Sequence, residues 1–100
     1  MEIILSQLVH LEPMNEGWTT VKKSFESNVI PHKGDYITDS VWKADDEQEV
    51  ASVEINYQEN YCFVHLKPIE LKTNDENVLR EYVKMTKLHG WESMMETYWF

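Results

Sequence analysis

The sequence predicts a single α+β domain spanning residues 1–100, a strongly bent antiparallel sheet or small barrel of about five strands, with one long C-terminal helix and a short terminal helix. Three observations carry this. Val50 to Leu71 reads as two β-rich arms around a polar turn. Thr73 to Leu88 combines a helix-start signature with a helical apolar face. The 100-residue length, with 42% apolar residues and only three glycines and three prolines, fits one domain able to bury one core.

Taken in order, Glu2 to Glu12 places Ile3, Leu5, Val9 and Leu11 on one face of a strand and Ile4 and Leu8 on the other. Apolar residues on both faces predict a central strand or a barrel wall. Pro13, Asn15 and Gly17 mark a turn. Trp18 to Phe25 fits either period, and its Thr, Val and Trp content favours a strand. Ser40 to Gln48 is an acidic loop in which Trp42 is expected to tuck its indole against the core.

The hairpin arms are Val50 to Asn56 and Tyr61 to Pro68. Opposed residues of an antiparallel pair share a face, so the register decides what meets what. A four-residue loop sets Ala51, Val53 and Ile55 opposite Leu66, Val64 and Cys62, a dry face. Ser52, Glu54 and Asn56 then oppose His65, Phe63 and Tyr61, a wet aromatic face. The apolar parity switches at Pro68, which predicts a bulge or an edge there. Thr73 to Glu76 matches the capping box of the helix that follows, with Val78, Leu79, Tyr82, Val83 and Thr86 on its apolar face and Gly90 as its stop. Arg80, Lys84 and Lys87 lie away from that face, where Glu76 and Glu81 offer ion pairs. Trp91, Met94, Met95, Tyr98 and Trp99 recur at helical spacing, as core or as a dimer-forming edge.

Val29, Ile30, Pro31, Gly34, Asp35 and Ile37 form a pattern: an apolar pair, a proline, two residues, then Gly-Asp and an apolar residue. This resembles the turn into a strand in SH3-like small β-barrels, and the many small proteins of phages and Firmicutes with a Pro-x-x-Gly-Asp ahead of a Val-rich hairpin. The resemblance covers residues 29–67. It implies an SH3-like barrel and a bacterial or phage setting, and it transfers no functional residue.

The net charge of −9 sits largely in residues 35–60, which hold eight acids and one lysine. Such a balance opposes duplex DNA and anionic membranes as partners, because both need neutralising Lys and Arg. The N-terminal stretch begins with an acid and has no long apolar run, so it reads as neither a signal peptide nor a membrane span. Cys62 is the single cysteine, which excludes an internal disulfide and suits a reducing cytoplasm.

Catalytic signatures are missing: there is no Gly-rich phosphate loop, no G-x-S-x-G and no H-E-x-x-H. Cys62 and His65 point to opposite faces of one strand and cannot share an ion. His10, His32 and His89 are far apart in sequence. The acids Asp35, Asp39, Asp45, Asp46 and Glu47 lack the spacing of a calcium loop and read as a solvated loop, or as a patch that imitates phosphates before a basic groove. His65 with Glu54 could be an acid–base pair, but no nucleophile accompanies it.

The expected function is therefore that of a small acidic binding module without enzymatic activity, cofactor or metal. It would be cytoplasmic, in a host cytoplasm if phage-encoded, and would act on a protein partner, a basic one fitting best. In a phage setting that partner would be a host or defence protein to be inhibited. The candidate binding residues are Trp42, Asp45, Asp46, Glu47, Tyr61, Phe63, His65 and Trp99. Small sheets usually need helix cover, so the helix or the Trp91 to Phe100 tail is expected over the aromatic face; left open, that face is an interaction surface. A homodimer through the C-terminal segment is a further expectation. The alternative function is a small-ligand or nucleotide-binding protein with a pocket between sheet and C-terminal segment, lined by Trp42, Tyr61, Phe63, His65 and Trp99.

Overall fold

A computed structural model of the protein describes residues 1–42 and 46–93. β1 (Glu2–His10) pairs antiparallel with β2 (Trp18–Glu26) on one side and parallel with β5 (Tyr61–Leu66) on the other. β4 (Gln48–Asn56) pairs antiparallel with β5, and β3 (Tyr36–Ile37) adds two residues to the outside of β4. β6 (Ile69–Glu70) resumes the parallel pairing with β1, and β7 (Glu92–Ser93) pairs with the middle of β2. The sheet order is β3-β4-β5-β1-β2-β7, curled into a half-barrel, with one helix, α1 (Glu76–Leu88).

The sheet is mixed, not antiparallel as the sequence suggested. Each hairpin is antiparallel, but β1 and β5 lie side by side, so β2 and β4 end up separated by two strands. Residues 27–42 then run beneath one face, starting from the end of β2 beside Glu2. On the way Ile30, Ile37, Val41 and Trp42 pack against the core. α1 covers the rest of this inner face with Leu79, Val83 and Thr86. Beneath them lie Ile3, Leu5, Val9, Val21, Val50, Cys62 and Val64, all nearly or fully buried. Trp42 does tuck inward, edge-to-face with Trp91 at a centroid separation of 5.6 Å.

The hairpin register holds from Ser52↔His65 to Asn56↔Tyr61. Its turn is the four residues Tyr57 to Asn60; Asn60 takes φ 59° and Asn56 accepts a hydrogen bond from the Glu59 amide. Asparagine tolerates this left-handed geometry better than most side chains. Ala51 is the exception: a bulge between Val50 and Ser52 sets Val50 opposite Leu66, so the larger Val50 fills the core place expected of Ala51. The parity switch near Pro68 is also real. The parallel register on β1 gains one residue between Ser6↔His65 and Val9↔Ile69. Gln7 sits in this gap, nearly fully buried, and its amide donates to the Lys67 carbonyl at 2.9 Å and to Gln48 Oε1 at 2.8 Å.

The helix cap differs from the expected one. Asp75, not Thr73, is the N-cap, accepting from the Asn77 amide, while the Thr73 hydroxyl accepts from the Asp75 amide. Two good capping residues compete here, and the one nearer the helix wins. Glu76 then pairs with Arg80, and Glu81 with Lys84. At the C-terminus His89 N–H and Trp91 N–H donate to the Thr86 carbonyl and Gly90 N–H to the Lys87 carbonyl, with Gly90 at φ 87°. Trp91, buried just past this turn, anchors the helix end. Glu92 and Ser93 form a strand where the sequence suggested the start of a helix, because the edge of β2 offers them free backbone partners; the remainder of that helix lies outside the described residues.

Gly90→Ala is expected to cost about 1–2 kcal/mol, from the left-handed backbone alone, since an added Cβ meets only ordinary contact with Lys23. Leu79→Ala should cost about 2–5 kcal/mol through the cavity it leaves. Urea unfolding of the two variants beside the parent checks both values.

Candidate functional site

With α1 and the crossing segment both on the inner face, no described element covers the outer one. The strand registers arrange its residues in rows. Asn56, Tyr61, Glu2 and Glu26 form the first; Glu54, Phe63, Ile4 and Ser24 the second; Ser52, His65, Ser6, Lys22 and Glu92 the third. Leu8 and Thr20 follow, then Glu70, His10 and Trp18.

Two consequences follow from these rows. An apolar and aromatic band runs obliquely across the face through Tyr61, Phe63, Ile4, Leu8 and Trp18, the first four half-buried and Trp18 57% exposed. Around it stands a rim of glutamates, Glu2, Glu26, Glu54, Glu70 and Glu92, each exposed. Within the band His65 leans on Phe63, ring centroids 4.7 Å apart, and its Nε2 lies 3.3 Å from Glu54 Oε1. Lys22 Nζ stands 5.2 Å from the Phe63 ring centre, a cation–π contact. Two further rim acids have partners: the N-terminal amine meets Glu26, and Lys72 meets Glu70, holding its carboxyl below the usual range. A cavity of about 320 Å³ opens at one side of the face, lined by Ile4, Lys22, Ser24, Phe63, Gly90 and Glu92.

Tyr61, Phe63 and His65 are thus brought together, on one strand and one face. Trp42 is not with them: it lies on the inner side against Trp91. Asp46 and Glu47 are exposed ahead of β4, while Asp45 and Trp99 lie outside the described residues. Cys62 and His65 occupy opposite faces, and burial pushes the Cys62 thiol up. Among the described residues no group of three or more His, Cys, Asp or Glu could hold a metal ion, and no helix is long and apolar enough to cross a membrane.

A polar clamp on the inner side escaped the sequence reading. Lys23 Nζ donates to Asp39 Oδ1 at 2.8 Å and to the His89 carbonyl at 2.9 Å. Asp39 Oδ2 accepts from Trp91 Nε1 and from the Val41 amide, both at 3.1 Å, and Ser40 Oγ lies 2.8 Å from His89 Nδ1. The clamp ties the crossing segment to β2 and to the helix end. Burial alone would raise the Asp39 carboxyl, but the hydrogen bonds from Lys23, Trp91 and Val41 outweigh it and hold the pKa below its ordinary value. Glu2, Trp18, Lys22 and Glu92 were likewise missed as members of the outer face, since only the pairing of β1 with β2 and β5, and of β2 with β7, collects them.

Comparison with protein-family models, with curated proteins and with solved structures finds no match to this chain.

Because the folded Asp39 pKa is depressed, the stability it contributes is complete above the unfolded carboxyl value of about 3.9 and is lost as the pH falls through the lower folded value. Asp39→Asn should therefore be less stable than the parent at neutral pH, by about 1–3 kcal/mol for a lost charged hydrogen-bond pair. The gap should close as the pH falls below about 4. Urea midpoints of parent and variant across that range measure it.

Proposed function

We propose that this protein is a non-enzymatic binding module that engages a basic protein partner through the outer face of its sheet. One observation carries the reading: an aromatic and apolar band on a face with no described cover, ringed by five exposed glutamates. Interfaces concentrate their energy in central aromatic anchors such as Trp18, Tyr61 and Phe63, and a charged rim steers encounter and selects the partner. The exposed acids Asp46 and Glu47 extend the same negative field along the sheet edge. A cytoplasmic setting, with inhibition of a host or defence protein if the chain comes from a phage, belongs to the same proposal. It rests on the barrel-like pattern of residues 29–67.

A second reading, a small-ligand or nucleotide-binding role, draws on the cavity between the sheet residues Ile4, Lys22, Ser24 and Phe63 and the C-terminal residues Gly90 and Glu92. Its aromatic wall and single lysine would suit a small planar molecule carrying a negative group.

The two readings separate in one experiment. The parent and the Trp18→Ala and Phe63→Ala variants, each checked for intact fold by circular dichroism, are used to recover complexes from the native cell for intact mass measurement. Binding-module function predicts one stoichiometric basic protein, with recovery reduced about tenfold or more by either variant, as for an interface anchor. A small molecule retained by the parent and by Trp18→Ala, but lost from Phe63→Ala, would favour the cavity. Undiminished protein recovery by both variants would overturn the role of this face.

A further inference from the structure

The inner-face side chains lose their cover at both ends of one row. In the row Ile55, Cys62, Ile3 and Phe25, the central pair is sealed, whereas Ile55 on β4 is 41% exposed and Phe25 on β2 is 42% exposed. Val53 beside it is only half-buried, although Val64 opposite is fully so. On the β4 side, β3 is too short to flank this row. It pairs with β4 at Gln48 and Glu49, and Gly34 and Asp35 add bonds to Val50. From Ser52 to Asn56 the outer edge of β4 has no strand partner among the described residues.

Native sheets usually blunt such an edge with lysine, proline or a bulge. Here the bulge ends at Ser52, and the following residues, Ser52-Val53-Glu54-Ile55-Asn56, are evenly alternating and carry neither lysine nor proline. A strand laid along them would set an apolar residue beside Ile55 or Val53 on the inner face. On the outer face it would set its alternate residues beside Ser52, Glu54 and Asn56. Glu54 is exposed, and its margin of the molecule also carries exposed Glu47 and Glu59. A cationic side chain is therefore the complement on that face. A second copy of this acidic chain would bring another Glu54 into the same short stretch.

We infer that the free edge of β4, from Ser52 to Asn56, is a strand-addition site for an extended segment of the partner in which lysine or arginine alternates with apolar residues. This rests on the proposed protein-binding role and adds how the partner is gripped: backbone hydrogen bonds along β4, with sequence read by Glu54 outside and Ile55 inside.

The test uses the full chain, labelled with nitrogen-15, and a capped peptide Lys-Val-Lys-Val-Lys-Val-Lys. Amide shifts and slowed hydrogen exchange are expected to centre on residues 52–56. Methylating alternate backbone nitrogens of the peptide should weaken binding about tenfold or more, because unmade ladder bonds are costly. Glu54→Lys should weaken it about fivefold, as a like charge replaces an opposed one. Equal binding of the methylated peptide would reduce the contact to charge adhesion and overturn the inference, as would shifts centred elsewhere. A dimer in the peptide-free protein that Glu54→Pro dissolves would overturn it in favour of a second copy. Absence of shifts at residues 52–56 in the parent overturns the edge alone, whereas Trp18→Ala and Phe63→Ala report on the outer face through recovery of the native partner. Failure of the edge is thereby distinguished from failure of the outer-face reading, in which those two variants retain the native partner.

Discussion

The rest of this structure depends on β1 being hydrogen-bonded on both sides, antiparallel to β2 and parallel to β5. That pairing places two antiparallel hairpins side by side and forces the chain between them to cross one face of the sheet. The crossing segment and α1 then claim the same face, because Ile3, Leu5, Val9, Val21, Cys62 and Val64 make it the larger apolar surface. The opposite face, with exposed Lys22, Ser24, Ser52 and Glu54 among its residues, offers less burial and has no cover among the described residues. One pairing decision thus separates a core from a face that no other described element covers.

Closing the inner face takes three unlike pieces, and the Lys23–Asp39 pair is where they meet. It joins β2, the crossing segment and the carbonyl end of α1, where a cation also opposes the helix dipole. The Trp91 indole completes it, donating to Asp39 while meeting Trp42 edge-to-face. A partly buried ion pair adds little through charge attraction alone. Its value here is positional: Lys23 and Asp39 have their remaining bonds satisfied by groups from separate elements, so the inner face closes in one arrangement.

Local signals were legible in the sequence where one element decides the outcome. The register from Ser52 to Asn56, the shift at Pro68, the helix body and the Gly90 stop all follow from neighbouring residues. What was illegible required distant partners. The parallel pairing of β1 and β5 depends on where a long connection runs, and nothing in either strand encodes it. The displacement of Ala51 by Val50 depends on the core volume left beside Leu66. Thr73 and Asp75 are both good caps, and local pattern alone cannot choose between them. For the candidate surface, Tyr61, Phe63 and His65 could be read from one strand, whereas Trp18, Lys22 and the glutamate rim emerge only when the strands are assembled. Trp42 was grouped with that face because it is aromatic, and the fold places it on the other side.

The two faces are unequal: one is sealed, and the other has no cover among the described residues. The most direct measurement is the relaxation enhancement that a soluble gadolinium chelate produces on side-chain protons in solution. Strong enhancement is predicted at Trp18, Phe63, Tyr61, Ile4 and Leu8, with protection at Val9, Leu79, Val83 and Trp91. Protection of Phe63, Ile4 and Leu8 to the level of Leu79 would contradict it, since the outer face would then be a second core and not a binding surface.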